Sequence, residues 1–295
     1  MGQLYSIDYL KSVGMKEQNI LVLGGSGKTG RRVAERLRNT SGIKVRSASR
    51  STIPGFDWEN PVTWEAAIGD TDAVCISFQP DLAVPSAPET IKQFTVLATQ
   101  LGVRKMVLLS GRGEKEAAVC EKIVMQNASS WTIVRASWFN QNFDEGFFLE
   151  PILAGHVALP RRETLEPFVD ADDIADVAVA ALLNDEHNGK VYELTGPELL
   201  TFEQAVAIIA KATGRTINFQ ALSLEEYSAM LRSYGVPEDT VWLANYLFSE
   251  ILDGRNASIS NDVEKVLGRK AKEFSNYAQK VAQTGVWNLN TVLSL

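Results

Sequence analysis

Residues 20 to 30, ILVLGGSGKTG, constrain this chain more than any other stretch. Four apolar residues (Ile20, Leu21, Val22, Leu23) run without a polar break, the mark of a parallel strand buried on both faces. Gly24, Gly27 and Gly30 follow at a spacing of three and three, and from Thr29 the pattern turns helical, with Val33 and Leu37 on one face. A glycine turn between a buried strand and a helix aims free backbone N–H groups and the positive end of the helix dipole at one point, which suits a diphosphate. Glycine is required there because a Cβ would clash in the turn or hold the backbone off the phosphates. The fragment GKT also suggests a triphosphate P-loop, but that motif needs a glycine where Val22 stands, so the reading fails.

A chain of 295 residues, 45% hydrophobic and 22% charged, has globular composition and length for one large domain or two modest ones. A net charge of −7 argues against non-specific nucleic-acid binding. The two cysteines, Cys75 and Cys120, fall in an expected strand and helix and read as buried thiols; with only two histidines, no metal site is expected. The start carries no signal-peptide core, and no stretch nears the roughly 20 apolar residues of a membrane span, so a cytoplasmic protein is expected.

Strand and helix then alternate. Strands are expected near 44–49, 72–77, 105–110 and 131–135, with helices near 62–68, 85–101 and 114–126 between them. About five repeats before residue 136 mean an α/β fold with a doubly wound parallel Rossmann sheet. Later, 156–159 and 191–194 read as strands and 172–183 as a helix, with the last strand rejoining the sheet. Two capping boxes, Thr201 with Gln204 and Ser223 with Glu226, announce helices that Gly214 and Gly235 stop. The expected organisation is an N-terminal extension (1–18), a dinucleotide-binding domain (19–160, with 166–197 rejoining it) and a smaller, mostly helical substrate or lid domain (198–295).

In an open parallel sheet the ligand lies beyond the carboxyl ends of the strands. The first turn offers Gly24, Ser26, Gly27, Lys28, Thr29 and Gly30. The second strand ends in Arg50, where a carboxylate would grip the ribose of NAD; a guanidinium instead suits a 2′-phosphate, so NADP(H) is expected ahead of NAD(H). The next ends bring Ser77, Phe78 and Gln79, then Ser110 and Gly111, then Ser137 and Trp138. Trp138, Phe139 and Phe143 offer flat apolar walls and Asn142 an amide, a mixture suited to a bulky aromatic or quinone-like substrate. Ser110 reads equally as a catalytic hydroxyl or a helix N-cap. None of the seven tyrosines has a lysine four residues on, so the tyrosine–lysine pair that polarises a simple ketone in short-chain dehydrogenases is missing. Catalytic residues stay unassigned, with Ser110, Phe139 and Asn142 as candidates. A substrate already electrophilic needs less help from a protein acid.

LVLGGSGKTG, LLSG (108–111), WTIVRASWFNQNF, FVDADDIADVA and YELTGPELLTFEQ together resemble the NmrA-like branch of atypical short-chain dehydrogenases, over about 19–288. FDW (56–58) and TGPELLTFEQ (195–204) are most similar to the festuclavine and agroclavine dehydrogenases; quinone and azo reductases share the branch. The resemblance implies NADP(H) held by Gly24, Gly27, Gly30 and Arg50, with a small-molecule substrate near Trp138–Asn142. It also implies an alternative, because some members sense dinucleotides and bind a regulatory protein partner without turnover. No nucleic acid or membrane partner is expected, and the oligomeric state stays open.

Overall fold

The computed structural model describes residues 17–288, so the expected N-terminal extension lies outside it apart from its last two residues. β1 (Gln18–Leu23) leads through the glycine turn into α1 (Lys28–Arg38) and β2 (Ile43–Ala48). Next come α2 (Trp64–Ile68), β3 (Ala73–Ile76), α3 (Ala87–Gln100), β4 (Lys105–Gly111), α4 (Lys115–Asn127) and β5 (Ser130–Ala136). They are followed by α5 (Leu149–Ala154), β6 (His156–Leu159), α6 (Ala171–Leu183) and β7 (Lys190–Leu194). The remainder holds α7 (Phe202–Thr213), β8 (Asn218–Ala221), α8 (Leu224–Ser233), α9 (Glu238–Tyr246), α10 (Asp262–Leu267) and α11 (Phe274–Thr284). No helix among the described residues is long and apolar enough to cross a membrane.

Six strands form one sheet in the order β2-β1-β3-β4-β5-β7, and every neighbouring pair is parallel. Parallel neighbours need crossovers, and the crossover helices cover both faces, which is why the central strands read as unbroken apolar runs. β1 divides its side chains by the pleat: Leu21 and Leu23 join the core under α3 and α4, whereas Ile20 and Val22 join the core under α1 and α6. The chain direction across the sheet reverses between β1 and β3, and that opening is where an open α/β sheet receives its ligand.

A third core belongs to the smaller unit. Phe202, Ile209, Tyr277 and Trp287 pack there with Phe143, Phe148, Ile152, Val157 and Phe168. Phe143 to Phe168 thus contribute to this core, while Val169, the α6 residues and Leu194 return to the core under α1 and α6. β6 pairs with β8 in a separate two-stranded parallel sheet, and β8 itself was not legible as a strand. Its residues are mostly exposed, so no alternation of apolar and polar side chains marked it.

Charge holds the acidic face of α6 from two sides. Arg32 and Arg36 of α1 pair with Asp172, and Arg36 also with Asp176, both on α6. Arg269 meets Asp173 and Asp176, and the Lys272 amide donates to Asp173, bringing the approach to α11 onto the same acidic face.

Candidate functional site

The glycine turn has the geometry of an anion cradle. Gly24 has φ +65°, and a Cβ on it would crowd Ser77 at 3.1–3.2 Å. A Cβ on Gly30 would enter the Gly24 carbonyl. Gly27 caps α1 with no side-chain hydrogen bond, and the first turn carries no acidic residue. The Thr29 hydroxyl is buried there without a partner. An uncapped helix start with buried polar groups left over fits an incoming diphosphate.

Beside it opens a groove of about 670 Å³, lined by Gly24, Ser26, Arg50, Trp58, Gln79 and Asp239 among others. Arg50 is exposed and makes no ion pair or hydrogen bond within the described residues. Ser49 and Ser51 line the same wall, their hydroxyls 3.1 Å apart. Phe56 and Trp58 shape the floor; their rings meet edge to face at 4.7 Å. Phe78 stands behind Trp58, and Trp58 Nε1–H donates to the Ser77 carbonyl. Of the residues expected to hold a dinucleotide, the groove gathers Gly24, Ser26, Arg50 and Gln79. Lys28 turns toward Glu145 and Asp144; its burial lowers the ammonium's pKa, and these carboxylates oppose the shift.

Further along the carboxyl edge the expectations meet corrections. Ser110 is not an N-cap: it is the penultimate residue of β4, is buried, and donates its hydroxyl hydrogen to Glu121 Oε1 at 2.7 Å. Glu121 is in turn held by Arg135 at 2.6 Å. The N-cap position of α4 belongs to Glu114. Gly111 is glycine because the Glu114 carboxyl fills the space a Cβ would need. Phe143 is not a substrate wall: it is wholly buried, with Phe148 at 5.1 Å and Phe274 at 5.5 Å. Trp138 is half-buried against Phe202 and Phe248, and Phe139 bridges to Val169 and packs on the core beneath α6. Asn142 is half-buried in a short 3-10 turn that follows. Ser137 is buried, with its hydroxyl unpartnered. Near it the Glu166 carboxyl accepts the Trp138 amide at 3.2 Å, and burial pushes its pKa up to about 7.

One element was missed altogether. Asp239, Trp242 and Tyr246 share a face of α9 by their spacing of three and four. Asp239 lines the groove, Tyr246 donates to Glu116 of α4 at 2.9 Å, and Trp242 stacks on Tyr246 at 5.6 Å while staying 44% exposed. A partly exposed aromatic shelf thus runs beside the carboxyl edge. Helical spacing showed the stripe, but nothing local indicated that it would face the sheet.

The chain is similar over most of its length to proteins of differing roles. It is 25% identical to prestalk A differentiation protein A of Dictyostelium discoideum, covering 90% of this chain and 92% of that protein. It is 27% identical to an NAD(P)H azoreductase of Xenophilus azovorans (88% and 96% covered) and 27% identical to agroclavine dehydrogenase of Claviceps fusiformis (88% and 95%). Among solved structures, triphenylmethane reductase of Citrobacter sp. complexed with NADP(H) superposes with a TM-score of 0.74 at 18% identity, covering 90% of this chain and 99% of that one. The model of the NmrA-like family matches residues 116–281. That match spans more than half the sequence, runs from α4 through α11, and agrees with the Rossmann sheet and helical C-terminal region; the chain belongs to the NmrA-like family.

Proposed function

We propose that this chain is an NADPH-dependent oxidoreductase that passes hydride to a hydrophobic, electrophilic small molecule of the quinone, iminium or azo type. The observation that carries the reading is Arg50: an exposed guanidinium with no protein partner among the described residues, on the wall of the groove that the glycine turn opens. A free guanidinium forms paired charge-assisted hydrogen bonds to a phosphate, which a 2′-phosphate supplies and a bare ribose does not. The amides of Lys28 to Gly30 would hold the diphosphate, Arg50 with Ser49 and Ser51 the 2′-phosphate, and Gln79 with the Ser137–Trp138 turn the far end of the cofactor. When bound, the reduced nicotinamide supplies the hydride. The residues of this chain orient the acceptor: Trp138 and the Trp242–Tyr246 shelf give flat apolar faces suited to a conjugated ring. Homologues that include an azoreductase and a clavine dehydrogenase support the class of acceptor.

The test is titration with NADPH and NADH, followed by nicotinamide absorbance with a quinone, an azo dye and a triarylmethane dye cation. NADPH binding with oxidation by at least one acceptor is expected. Tight NADPH binding with no turnover on any of them would favour the alternative, a dinucleotide sensor that reports to a protein partner.

A further inference from the structure

Two uncommon backbone features meet beside the aromatic faces assigned to the acceptor. Arg161, two residues after β6, has φ +61°, the only positive φ outside glycine among the described residues. A Cβ makes that conformation costly, whereas glycine adopts it freely. The second feature continues α9. After Tyr246 the helix widens into one π turn, Leu247–Ile251, closed by the Leu252 amide on the Leu247 carbonyl at 3.0 Å. Turns of this kind are rare and concentrate at functional sites.

The Arg161 side chain joins the two. Its guanidinium donates from Nε to the Phe248 carbonyl at 2.8 Å and from Nη2 to the Ser249 carbonyl at 3.2 Å. Thr164 Oγ1 donates to the Leu252 carbonyl at 3.1 Å, and the Thr164 amide closes the strained turn on the Arg161 carbonyl at 3.2 Å. These carbonyls lie in the last turn of the helix, where intrahelical donors run out and a cation is favoured. The clamp is itself anchored, because Arg162 forks onto Glu203 of α7 at 2.6 and 2.8 Å. A helix cap alone would tolerate a flexible cation on relaxed backbone. A strained turn that fixes the direction of the guanidinium persists where geometry matters to a site.

What the clamp holds points the same way. Phe248, whose carbonyl it takes, is buried, with its ring 5.4 Å from Trp138 and 5.3 Å from Tyr227. One residue before the π turn, Tyr246 donates to Glu116 of α4 and carries Trp242 stacked on it. The π turn is therefore continuous with the Trp242–Tyr246 shelf and in contact with the Trp138 face. We propose that Arg161 is a positioning residue for the acceptor: its strained turn and guanidinium fix the π turn, and through Phe248 set Trp138 against the shelf. The proposal takes the two acceptor faces from the oxidoreductase reading above and rests on it.

Arg161→Gly is the variant of choice, because glycine keeps the turn without strain and removes only the clamp. Binding of a triarylmethane dye cation is titrated by fluorescence quenching with NADP+ present, so that no hydride moves. Dye affinity should fall about 10-fold in Arg161→Gly, the scale of a lost charge-assisted hydrogen bond, and Arg161→Lys should recover part of it. With NADPH, KM for the dye should rise by the same factor while kcat stays within about two-fold, and NADPH affinity should not change. Phe248→Leu should weaken dye binding to a similar extent, and the double variant should lose no more than either alone. A structural cap predicts a lower melting temperature with KM unchanged. That result, or additive losses in the double variant, overturns the proposal, as does a wild type that binds no dye. Failure of the oxidoreductase reading shows separately, as dye binding without oxidation of NADPH by any acceptor; the titrations then still decide whether the clamp shapes the site.

Discussion

The helix that opens onto the groove and the two capped helices α7 and α8 begin by opposite rules. α7 and α8 start with complete capping boxes: Thr201 and Ser223 accept the N3 amides, while Gln204 and Glu226 reach back to the cap amides. α1 starts with Gly27 and α4 with Glu114, neither making a side-chain cap. A cap satisfies orphan amides at the cost of closing the site they form. Where the helix serves stability the donors are satisfied internally; at the carboxyl edge they are left for something else. The contrast is between individual helix starts and not between regions: α6, over the sheet, is capped by Asp170, while α9, α10 and α11 start without a side-chain cap.

The hardest blow to that contrast is Gly30→Ala. Its Cβ enters the Gly24 carbonyl, so the turn must open. Affinity for NADPH and NADH alike should drop by about 3 kcal/mol or more, roughly 100-fold, in a calorimetric titration. Equal affinity in the variant would remove the cradle from the argument.

Glu166 probes the seam between the regions, since its backbone bridges Leu200 just before the Thr201 cap. Burial raises its carboxyl from 4.5 to about 7, so the native state holds the proton more tightly than the unfolded chain does. This contribution is full below about pH 4.5 and is lost as pH rises to about 7. Glu166→Gln keeps an acceptor for the Trp138 amide without the ionisation. Its stability relative to wild type should rise between pH 5 and pH 8, by at most roughly 3 kcal/mol, in denaturant melts at each pH. A difference independent of pH would refute the assignment.

Arg50→Ala sharpens the comparison on the open side. NADPH binding should weaken by roughly 1.5–3 kcal/mol, ~10-fold or more, with NADH nearly unaffected. Equal loss for both dinucleotides would reject the role. Thr201→Ala is the mirror on the closed side: stability should fall by about 1 kcal/mol with dinucleotide affinity unchanged, by thermal melting and titration. A change in affinity would mean that capping and binding are not separate after all.

Much of this was legible because its signals are local. Ile20–Leu23 could only be a buried strand, Gly30 could only tolerate hydrogen, and the two boxes named their own helices. Arg50 was readable because the end of a second strand has a fixed place in such a sheet. What escaped depends on distant residues meeting. Phe143 looked like a wall because an aromatic beside polar residues has no local sign of burial; the rings that cover it come from Phe202 and Phe274. Asp239 reaches the groove only because α9, far along the chain, lies against it.

The arginines of α1 carry a last consequence. Arg32 and Arg36 grasp the acidic face of α6, and that same face holds Arg269 and the Lys272 amide ahead of α11. The two units are therefore poor candidates for modular exchange. A chimera that grafted another C-terminal unit onto this sheet would have to import cations matching Arg269 and Lys272, or leave Asp173 and Asp176 short of partners across the splice.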